Sequence, residues 1–219
     1  MKLMKLKADK KEMFEKRINK FLGIAGEKQV HIHDSGRLER LLYKGNEVLL
    51  KRAYGKRKTK WDLLAAMYKN KWVLTNSFFH SRIAEKLIEA GIPFKASKID
   101  KEIKYGESRI DFLLDKKILI EVKGCTFEEN GEAMFPDAPT ARGRRHLMEL
   151  MNALQNGYEA IILFLIFVPS HCFKPNEIID KKFAEIFYRG LSEGMKVYSA
   201  LIEYDGEWIY YKKMIPLCL

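Results

Sequence analysis

Residues 108–125, SRIDFLLDKKILIEVKGC, constrain the fold most, because they read as two apolar strands around a short turn. Side chains alternate between the two faces of a strand, so the position of the turn fixes which residues share a face. We place a three-residue turn at 115–117. One face of the hairpin is then wholly apolar, with opposed pairs Leu114 and Ile118, Phe112 and Ile120, and Ile110 and Val122.

The other face of this hairpin pairs Asp111 with Glu121 and Arg109 with Lys123. Carboxylates that face each other across strands repel, and a divalent cation such as Mg²⁺ relieves that repulsion. Lys123 would lie beside the ion, where it could orient or deprotonate an attacking water. This pattern indicates phosphodiester hydrolysis. The alternative is a solvated face on which Arg109 and Lys123 neutralise the acids as surface pairs.

Two further groups of residues extend this candidate site. Glu102 precedes Asp111 by nine residues and is a candidate additional metal ligand. The stretch FPDAPTARGRRHLMEL begins a predicted helix at Pro139 or Thr140, and helix N-termini and arginines bind phosphate. The alternative is a capped surface helix. The candidate phosphate-facing residues in this stretch are Asp137, Thr140, Arg142, Arg144, Arg145 and His146.

Charge is distributed unevenly along a chain whose formal net charge is +11. Residues 1–77 carry 20 Lys+Arg and 8 Asp+Glu, a net of +12, whereas residues 78–219 carry 20 and 21. Such an excess favours a polyanionic partner, nucleic acid or an acidic membrane face. Within KRAYGKRKTKW, cations alternate with Tyr54 and Trp61, as on surfaces that bind single strands; the alternative is a basic loop kept for solubility. The candidate contacts among these cations are Arg52, Lys56, Arg57, Lys58 and Lys60.

Secondary-structure patterns differ between the two halves. KQVHIHD, NEVLLKRAY and KWVLTN read as short strands between turns, which is typical of a small barrel or sandwich. The second half predicts helices in SRIAEKLIEAG, PTARGRRHLMELMNALQNG and NEIIDKKFAEIFYRGLSEG, a buried strand in YEAIILFLIFV and a closing strand pair that turns at Asp205 and Gly206. This alternation predicts an α/β sheet.

The three cysteines form no CxxC pair, which favours reduced thiols in an intracellular protein. Cys125 reads as a small buried residue, and His31 and His33 as ordinary strand histidines without a third ligand. The N-terminus lacks the apolar segment of a secretion signal, and the longest apolar run, AIILFLIFV, is too short for a bilayer. We therefore expect a cytoplasmic protein that does not enter membranes.

At this point the chain resembles the sugar fermentation stimulation protein A family. The resemblance is carried along almost the whole chain by HIHDSGR, KTKWDLLAA, KEIKYGESRIDFLL, LIEVKGCTF, MFPDAPTARGRRHLMEL and FKPNEIID. Two departures from the family pattern concern the acidic motif. Ile110 stands where the literal proline of a PD motif would be, and Pro136-Asp137 comes after Glu121 and Lys123 and is not that motif.

The resemblance implies an α/β chain with an N-terminal barrel of the oligonucleotide-binding (OB) type, residues 1–77, and a C-terminal nuclease-like domain of the PD-(D/E)xK class, residues 78–219. It implies catalytic roles for Asp111, Glu121 and Lys123, with Asp111, Glu121 and Glu102 as ligands for Mg²⁺ or Mn²⁺. Nucleic acid is the expected partner, with DNA favoured over RNA. The candidate contacts are the basic residues of KRAYGKRKTKW, the arginines and His146 of the helix, and Arg37 of HIHDSGR. Three functions stay open: a metal-dependent nuclease, a DNA-binding regulator of sugar metabolism that does not turn over, and an RNA-processing nuclease.

Overall fold

Short β-strands dominate the first third of the chain. The computed structural model describes residues 1–55 and 57–218. Seven strands precede the first helix: β1 (Lys2–Lys5), β2 (Lys10–Asn19), β3 (Leu22–Ala25), β4 (Lys28–His31), β5 (Glu47–Arg52), β6 (Trp61–Tyr68) and β7 (Lys71–Leu74).

Helices and strands alternate in the remainder of the chain. After a 3-10 turn, Ser77–Phe79, the elements are α1 (His80–Glu89), β8 (Ile99–Tyr105), β9 (Ser108–Leu114), β10 (Ile118–Cys125), β11 (Glu128–Glu129), β12 (Glu132–Phe135), α2 (Ala141–Gln155), β13 (Glu159–Ile166), β14 (Cys172–Pro175), α3 (Lys181–Ser192), β15 (Lys196–Tyr204) and β16 (Trp208–Ile215).

Two compact units divide these elements. The first comprises Met1–Phe79 with Ile202–Lys212, and the second His80–Leu201 with the C-terminal segment from Lys213. The predicted division into 1–77 and 78–219 did not assign Ile202–Lys212 to the first unit. This segment joins it through the backbone, because the N–H groups of Leu6 and Ala8 donate to the carbonyls of Glu207 and Gly206 at 2.7 and 2.8 Å.

The first unit contains a closed five-stranded barrel, which confirms the predicted OB-like fold. The strands follow one another as β2, β3, β4, β6 and β5, and β5 closes onto β2. Only β4 and β6 are parallel; the other pairs are antiparallel. The barrel closes around Phe14, which is fully buried, and a Cβ at Gly23 would lie 3.0 Å from its ring, so a larger residue there would require the ring to shift.

The second unit is built on a mixed sheet in the order β15, β13, β10, β9, β8. β10, β13 and β15 are parallel, and the β8–β9–β10 meander is antiparallel. The predicted register of the hairpin is confirmed in the pairs Leu114–Ile118, Leu113–Leu119 and Phe112–Ile120. A separate small sheet contains β11, β12 and β14.

Helices cover this sheet as the alternation predicted. α1 buries Ile83, Leu87 and Ile88, whereas α2 packs on β9, β10 and β13. The N-cap of α2 is Thr140, whose Oγ1 accepts the Gly143 N–H at 3.0 Å, so the helix begins where the sequence predicted. No helix among residues 1–55 and 57–218 is long and apolar enough to cross a bilayer.

The cysteines correct one prediction. Cys172 and Cys218 form a disulfide with their Cα atoms 5.0 Å apart, so the expectation of reduced thiols is wrong for these two. They are 46 residues apart in sequence, and the backbone of the C-terminal segment brings them together: Phe173 donates to the Pro216 carbonyl, and Cys218 donates to the Phe173 carbonyl. The spacing of the cysteines in the sequence does not reveal this backbone pairing. Cys125 is free and buried, as expected, and burial raises the pKa of its thiol to about 12.

Candidate active site

Asp111 and Glu121 lie next to the last strand pair of the β9–β10 hairpin, Phe112–Ile120, and the charge of Glu121 acts on the pKa of Asp111. Glu121 is buried, with 2% of its surface exposed, and Asp111 is half-buried. An Asp111 carboxylate oxygen accepts the backbone N–H of Val122 at 2.7 Å, which fixes its side chain against the next strand. The alternative of a solvated charged face is therefore wrong for Glu121.

Lys123 and His146 surround one oxygen of Glu121. The Lys123 ammonium donates to Oε1, and Nδ1 of His146 contacts the same atom. These two partners of Glu121 are themselves close, with Lys123 Nζ and His146 Nδ1 3.4 Å apart. The other oxygen of Glu121, Oε2, is buried and has no hydrogen-bond partner among the described residues. One side of this carboxylate is therefore satisfied by protein, and the other is available to a ligand.

Electrostatics separate the two carboxyls. Burial, and then the negative charge of Glu121, raise the pKa of Asp111 to about 7, despite the Val122 hydrogen bond. Burial also acts to raise the pKa of Glu121, but Lys123 and His146 outweigh it and hold that pKa below its usual value. An ionised carboxylate beside one that resists ionisation is the electrostatic pattern that a divalent cation would relieve.

Glu102 lies at the edge of this pair. The β8–β9 register places it across from Asp111, between the pairs Lys101–Phe112 and Ile103–Ile110. Its backbone has φ of +55°, and its exposed carboxylate is 3.8 Å from the Arg109 guanidinium. The negative charge of Glu102 also contributes to the raised pKa of Asp111. Of the three predicted ligands, two are held by the sheet and the third is on an exposed, irregular part of a strand.

The basic residues of α2 have three different environments. His146 is buried, and its ring contacts Glu121, so the prediction that it contacts nucleic acid is corrected to a position behind the carboxylate. Arg142 Nε donates to His146 Nε2 at 3.3 Å, which leaves the proton of a neutral ring on Nδ1, toward Glu121. Nη1 of Arg144 donates to both carboxylate oxygens of Asp180, at 2.8 and 3.0 Å. Arg145 Nε donates to Ser108 Oγ at 3.3 Å. Arg142 and Arg145 remain exposed.

His80 is a residue near this site that the sequence did not reveal. The His80 ring lies so close to Gly124 that a Cβ on Gly124 would be 2.1 Å from Cε1 of His80. The same ring stacks on Phe167, with the ring centroids 5.1 Å apart. Burial, and secondarily the charge of Lys123, lower the pKa of His80 to about 4, so the ring is neutral at physiological pH. The only signal in the sequence was the glycine directly after Lys123, which leaves room for a ring against the strand.

The basic segment of the barrel is largely exposed. Arg52, Lys58 and Lys60 are exposed, as is Arg37, whereas Lys56 lies outside the described residues. Arg57 is paired with Asp62 through two hydrogen bonds of 2.9 and 3.1 Å. Burial would raise the pKa of Asp62, but His33 and Arg57 hold it below its usual value. Most of the residues predicted to contact nucleic acid are therefore accessible, whereas the Arg57 guanidinium is bound to Asp62.

Aromatic rings form a row beside these cations. Ring centroids are separated by 6.3 Å from Phe21 to His31, 4.4 Å from His31 to His33 and 6.1 Å from His33 to Phe78. Phe78 is 66% exposed and Tyr54 80% exposed. A cavity of about 250 Å³ lies at the Phe78 end, lined among others by His33, Arg52, Tyr54, Arg57 and Phe78. Phe21 and Phe78 were not singled out from the sequence, because they lie outside the basic segment.

A barrel of the OB type joined to an α/β unit with a PD-(D/E)xK-like acidic pair defines a class of two-part proteins. Family models match both parts: "SfsA N-terminal OB domain" over residues 16–75 and "Sugar fermentation stimulation protein RE domain" over residues 75–208. The chain belongs to the sugar fermentation stimulation protein family.

Relatives and a solved structure extend this match over the full length. The sugar fermentation stimulation protein homolog of Thermotoga maritima is 46% identical over 218 residues, covering 97% of each chain. The homolog of Methanococcoides burtonii is 45% identical, covering 92% of this chain and 89% of its own. The structure of Pyrococcus furiosus SfsA in complex with Ca²⁺ superposes with a TM-score of 0.91 at 29% identity, covering 100% of both chains.

Proposed function

We propose that this protein is a metal-dependent nuclease whose active site, at Asp111 and Glu121, cleaves phosphodiester bonds. The barrel binds the nucleic acid, which is DNA in preference to RNA. Its place of action would be the cytoplasm. One observation carries the proposal: two adjacent carboxylates in one sheet, one with a raised pKa and the other with a buried, unpartnered oxygen among the described residues. Such a pair gains stability by binding a divalent cation.

The residues present fit Mg²⁺ or Mn²⁺. Asp111 and Glu121 would hold the ion from the sheet, and Glu102, whose charge also acts on Asp111, is the candidate third ligand. All three offer only oxygen, the ligand type that these cations prefer. The Ca²⁺ complex of the related Pyrococcus furiosus protein supports a divalent site in this family. When bound, the ion would activate water and stabilise the charge that develops on the phosphate.

Side chains of the protein prepare the site for that chemistry. His146 contacts Glu121 Oε1, whereas Oε2 has no hydrogen-bond partner among the described residues. Lys123 places an ammonium beside the carboxylates, where it can orient a water or bind a phosphate oxygen. Arg142 and Arg145 are exposed at the start of α2 and can contact the backbone of the nucleic acid.

The barrel supplies the binding surface in this proposal. Exposed cations follow a phosphate backbone, and exposed rings stack bases irrespective of sequence. Arg52, Lys58 and Lys60 provide the first, and Phe78 and Tyr54 provide the second. This combination favours a single-stranded segment as the ligand of the barrel.

The test combines metal binding with cleavage under single-turnover conditions. In the wild type, Mg²⁺ or Mn²⁺ should raise the melting temperature by mass action and support cleavage of single- or double-stranded DNA. Asp111→Asn should lose both responses. Asp100→Asn is the matched control, because Asp100 is an acid of the neighbouring strand that is ion-paired with Lys98 at 2.9 Å, and it should retain both. Equal melting of wild type and Asp111→Asn with no divalent binding at millimolar concentration would refute the site.

A regulator that binds DNA without cleaving it is the second candidate, and one observation favours it. Lys123 and His146 already compensate the charge of Glu121 without a metal, as a site retained for structure would require. This candidate predicts DNA binding by the barrel but no metal-dependent cleavage of any nucleic acid by the purified protein. A cleaved product that disappears in Asp111→Asn excludes it.

A further inference from the structure

A second cluster of ligand-type side chains lies in the small sheet of the second unit. Glu132, His171 and Cys172 place a carboxylate oxygen, a ring nitrogen and a sulfur within 4.8 Å of one another. Glu132 is half-buried, His171 exposed and Cys172 buried. None of these residues belongs to the Asp111–Glu121 pair, and the three donor types differ from its all-oxygen set.

Backbone pairing holds these side chains in place. Glu132 of β12 is the direct register partner of Cys172 in the parallel strand β14, so their side chains emerge on the same face. The N–H of His171 donates to the Gly131 carbonyl at 2.9 Å, and its ring lies on Gly131, where a Cβ would be 2.8 Å from Nδ1. The cluster is therefore positioned by main-chain contacts on either side of the strand pair.

A fourth donor is adjacent but oxidised. The Cys172 sulfur is bonded to that of Cys218. The C-terminal segment is also held by backbone hydrogen bonds, because Phe173 donates to the Pro216 carbonyl at 2.9 Å and Cys218 donates to the Phe173 carbonyl at 2.8 Å. Cleavage of the disulfide would leave both sulfurs beside each other, at the mouth of the cluster.

We propose that the reduced protein binds one Zn²⁺-like cation through Cys172, Cys218, His171 and Glu132, and that the disulfide closes this site. Two thiolates, one imidazole and one carboxylate make a four-coordinate set suited to zinc and unsuited to Mg²⁺. With Zn–S bonds of about 2.3 Å in a tetrahedron, the two sulfurs need to be about 3.8 Å apart, a separation that two neighbouring thiols reach once the bond between them is broken.

The redox step balances with a dithiol reductant. One thiolate of the reductant attacks a sulfur of the Cys172–Cys218 bond, the other cysteine leaves as thiolate, and the second thiol of the reductant completes its own disulfide. Two electrons pass to the protein, and both cysteines become thiols. Zn²⁺ then displaces one proton from each thiol on binding.

Lys174 sets the charge balance of the proposed site. Its ammonium is ion-paired with Glu132 in the oxidised structure, so this pair must loosen for the carboxylate to reach the metal. Two thiolates and one carboxylate around Zn²⁺ leave a net charge of −1, and a nearby ammonium then compensates it. Lys174 thus pairs with the carboxylate in one state and with the whole centre in the other.

The experiment uses Co²⁺ as a spectroscopic analogue of Zn²⁺ on the full chain. The protein is reduced with a phosphine, which becomes the phosphine oxide, separated from it without oxygen, and titrated with Co²⁺. We expect one more Co²⁺ bound per reduced chain than per oxidised chain, a near-ultraviolet thiolate-to-cobalt charge-transfer band, and loss of the band when Zn²⁺ is added. The oxidised chain should show no band.

Variants assign the ligands and separate this site from the proposed nuclease site. Cys218→Ser and Cys172→Ser should lose most of the band, and Cys125→Ala, a change at the free buried cysteine, should keep it. His171→Ala alters an exposed residue and should weaken Co²⁺ binding by about tenfold or more. Asp111→Asn should leave the band unchanged. A band that survives in Cys218→Ser and His171→Ala, or a reduced wild type that binds no Co²⁺, would overturn the proposal whatever the result for cleavage.

Discussion

The charged cluster around Glu121 and the basic face of the barrel use charge in opposite ways. In the cluster, two carboxyls, one ammonium and one imidazole are packed together, and burial moves the pKa of Asp111 to about 7. On the barrel, Arg52, Lys58 and Lys60 are exposed and spaced along one segment beside aromatic rings. The first arrangement gives a few strong interactions, and the second gives many weak ones.

This difference has a physical origin. Charges removed from water interact strongly, and loss of one partner leaves the others uncompensated. Charges in water are screened over about 8–10 Å by salt, so each contributes a small, salt-dependent share. We therefore expect single substitutions to abolish function in the cluster and to reduce binding in steps on the barrel.

The largest expected effect is that of Lys123→Ala. Removal of the ammonium leaves Asp111 and Glu121 in place, so metal and DNA should still bind, while single-turnover cleavage falls by about a hundredfold or more. Lys116→Ala, in the exposed turn of the same hairpin, is the control and should cleave like the wild type. Equal cleavage by both variants would place the chemistry at another site or in a contaminant, and the contrast between cluster and barrel would lose its catalytic half.

Removal of the Phe78 ring should give the next largest effect. Stacking on an exposed ring contributes about 1–3 kcal/mol per base, so Phe78→Ala should weaken binding of single-stranded DNA by about 5- to 150-fold. Tyr43→Ala is the control, because Tyr43 is an exposed aromatic residue of the same unit that does not belong to the aromatic row. Fluorescence anisotropy with a short labelled strand measures both. Equal affinities would remove the aromatic row from the binding surface.

The hairpin shows how far the sequence could predict this molecule. Its register followed from the strict alternation of apolar and charged residues, and the structure confirms the pairs from Leu114–Ile118 to Phe112–Ile120. β2 was missed, because KKEMFEKRIN is mostly charged and only Phe14 is fully buried. Alternation predicts a strand when one face is apolar, and a barrel strand with a single inward anchor gives too weak a pattern.

The parts of the site that the sequence did not reveal depend on contacts between distant segments. His146 was expected at a phosphate, yet it lies behind Glu121, since only the packing of α2 on β10 decides which side of the helix is buried. His80 approaches Gly124 from the start of another helix, and Cys218 reaches Cys172 through backbone pairing of the C-terminal segment. Local residue patterns contain no information on such approaches.

A change in salt dependence tests the distributed half of the comparison. Replacing Arg52, Lys58 and Lys60 together with Ala should flatten the plot of log affinity against log salt by about 2 units on single-stranded DNA and about 2.7 on duplex, if all three contact phosphates. We leave out Arg57, because its guanidinium is held by Asp62.

The control for the salt experiment removes the same charge from the other unit. Lys104, Lys116 and Lys213 are exposed lysines of the second unit, and their triple replacement with Ala lowers the net charge equally. Equal slopes for the two triple variants would show that net charge, and not the barrel face, governs binding. Arg142 and Arg145 would then be the next candidates.

The last test is a pH dependence that only the buried cluster should show. Because the pKa of Asp111 is raised from 3.8 to about 7, a proton competes with the divalent cation, and metal affinity should fall about tenfold per pH unit below 7 and level off above it. The same shift affects metal-free stability. The folded protein holds this proton more tightly than the unfolded chain does, so the carboxyl lowers stability progressively as pH rises from about 4 to 7. Asp111→Asn should therefore melt like the wild type near pH 4 and above it at pH 8, without divalent cations.

Calorimetric titration with Mn²⁺ and thermal melts between pH 4 and 8 measure both parts of this prediction. As the pH rises and Asp111 loses its proton, the metal affinity of the wild type should increase. Over the same pH range, the melting temperature of Asp111→Asn should rise above that of the wild type, because both changes depend on this one proton. DNA binding by the barrel without divalent cations should vary much less, since its lysines and arginines stay charged throughout this range. Metal affinity that is flat between pH 5 and 7 would mean that Asp111 is ionised before the cation arrives, and the two charged regions would then differ in burial but not in protonation.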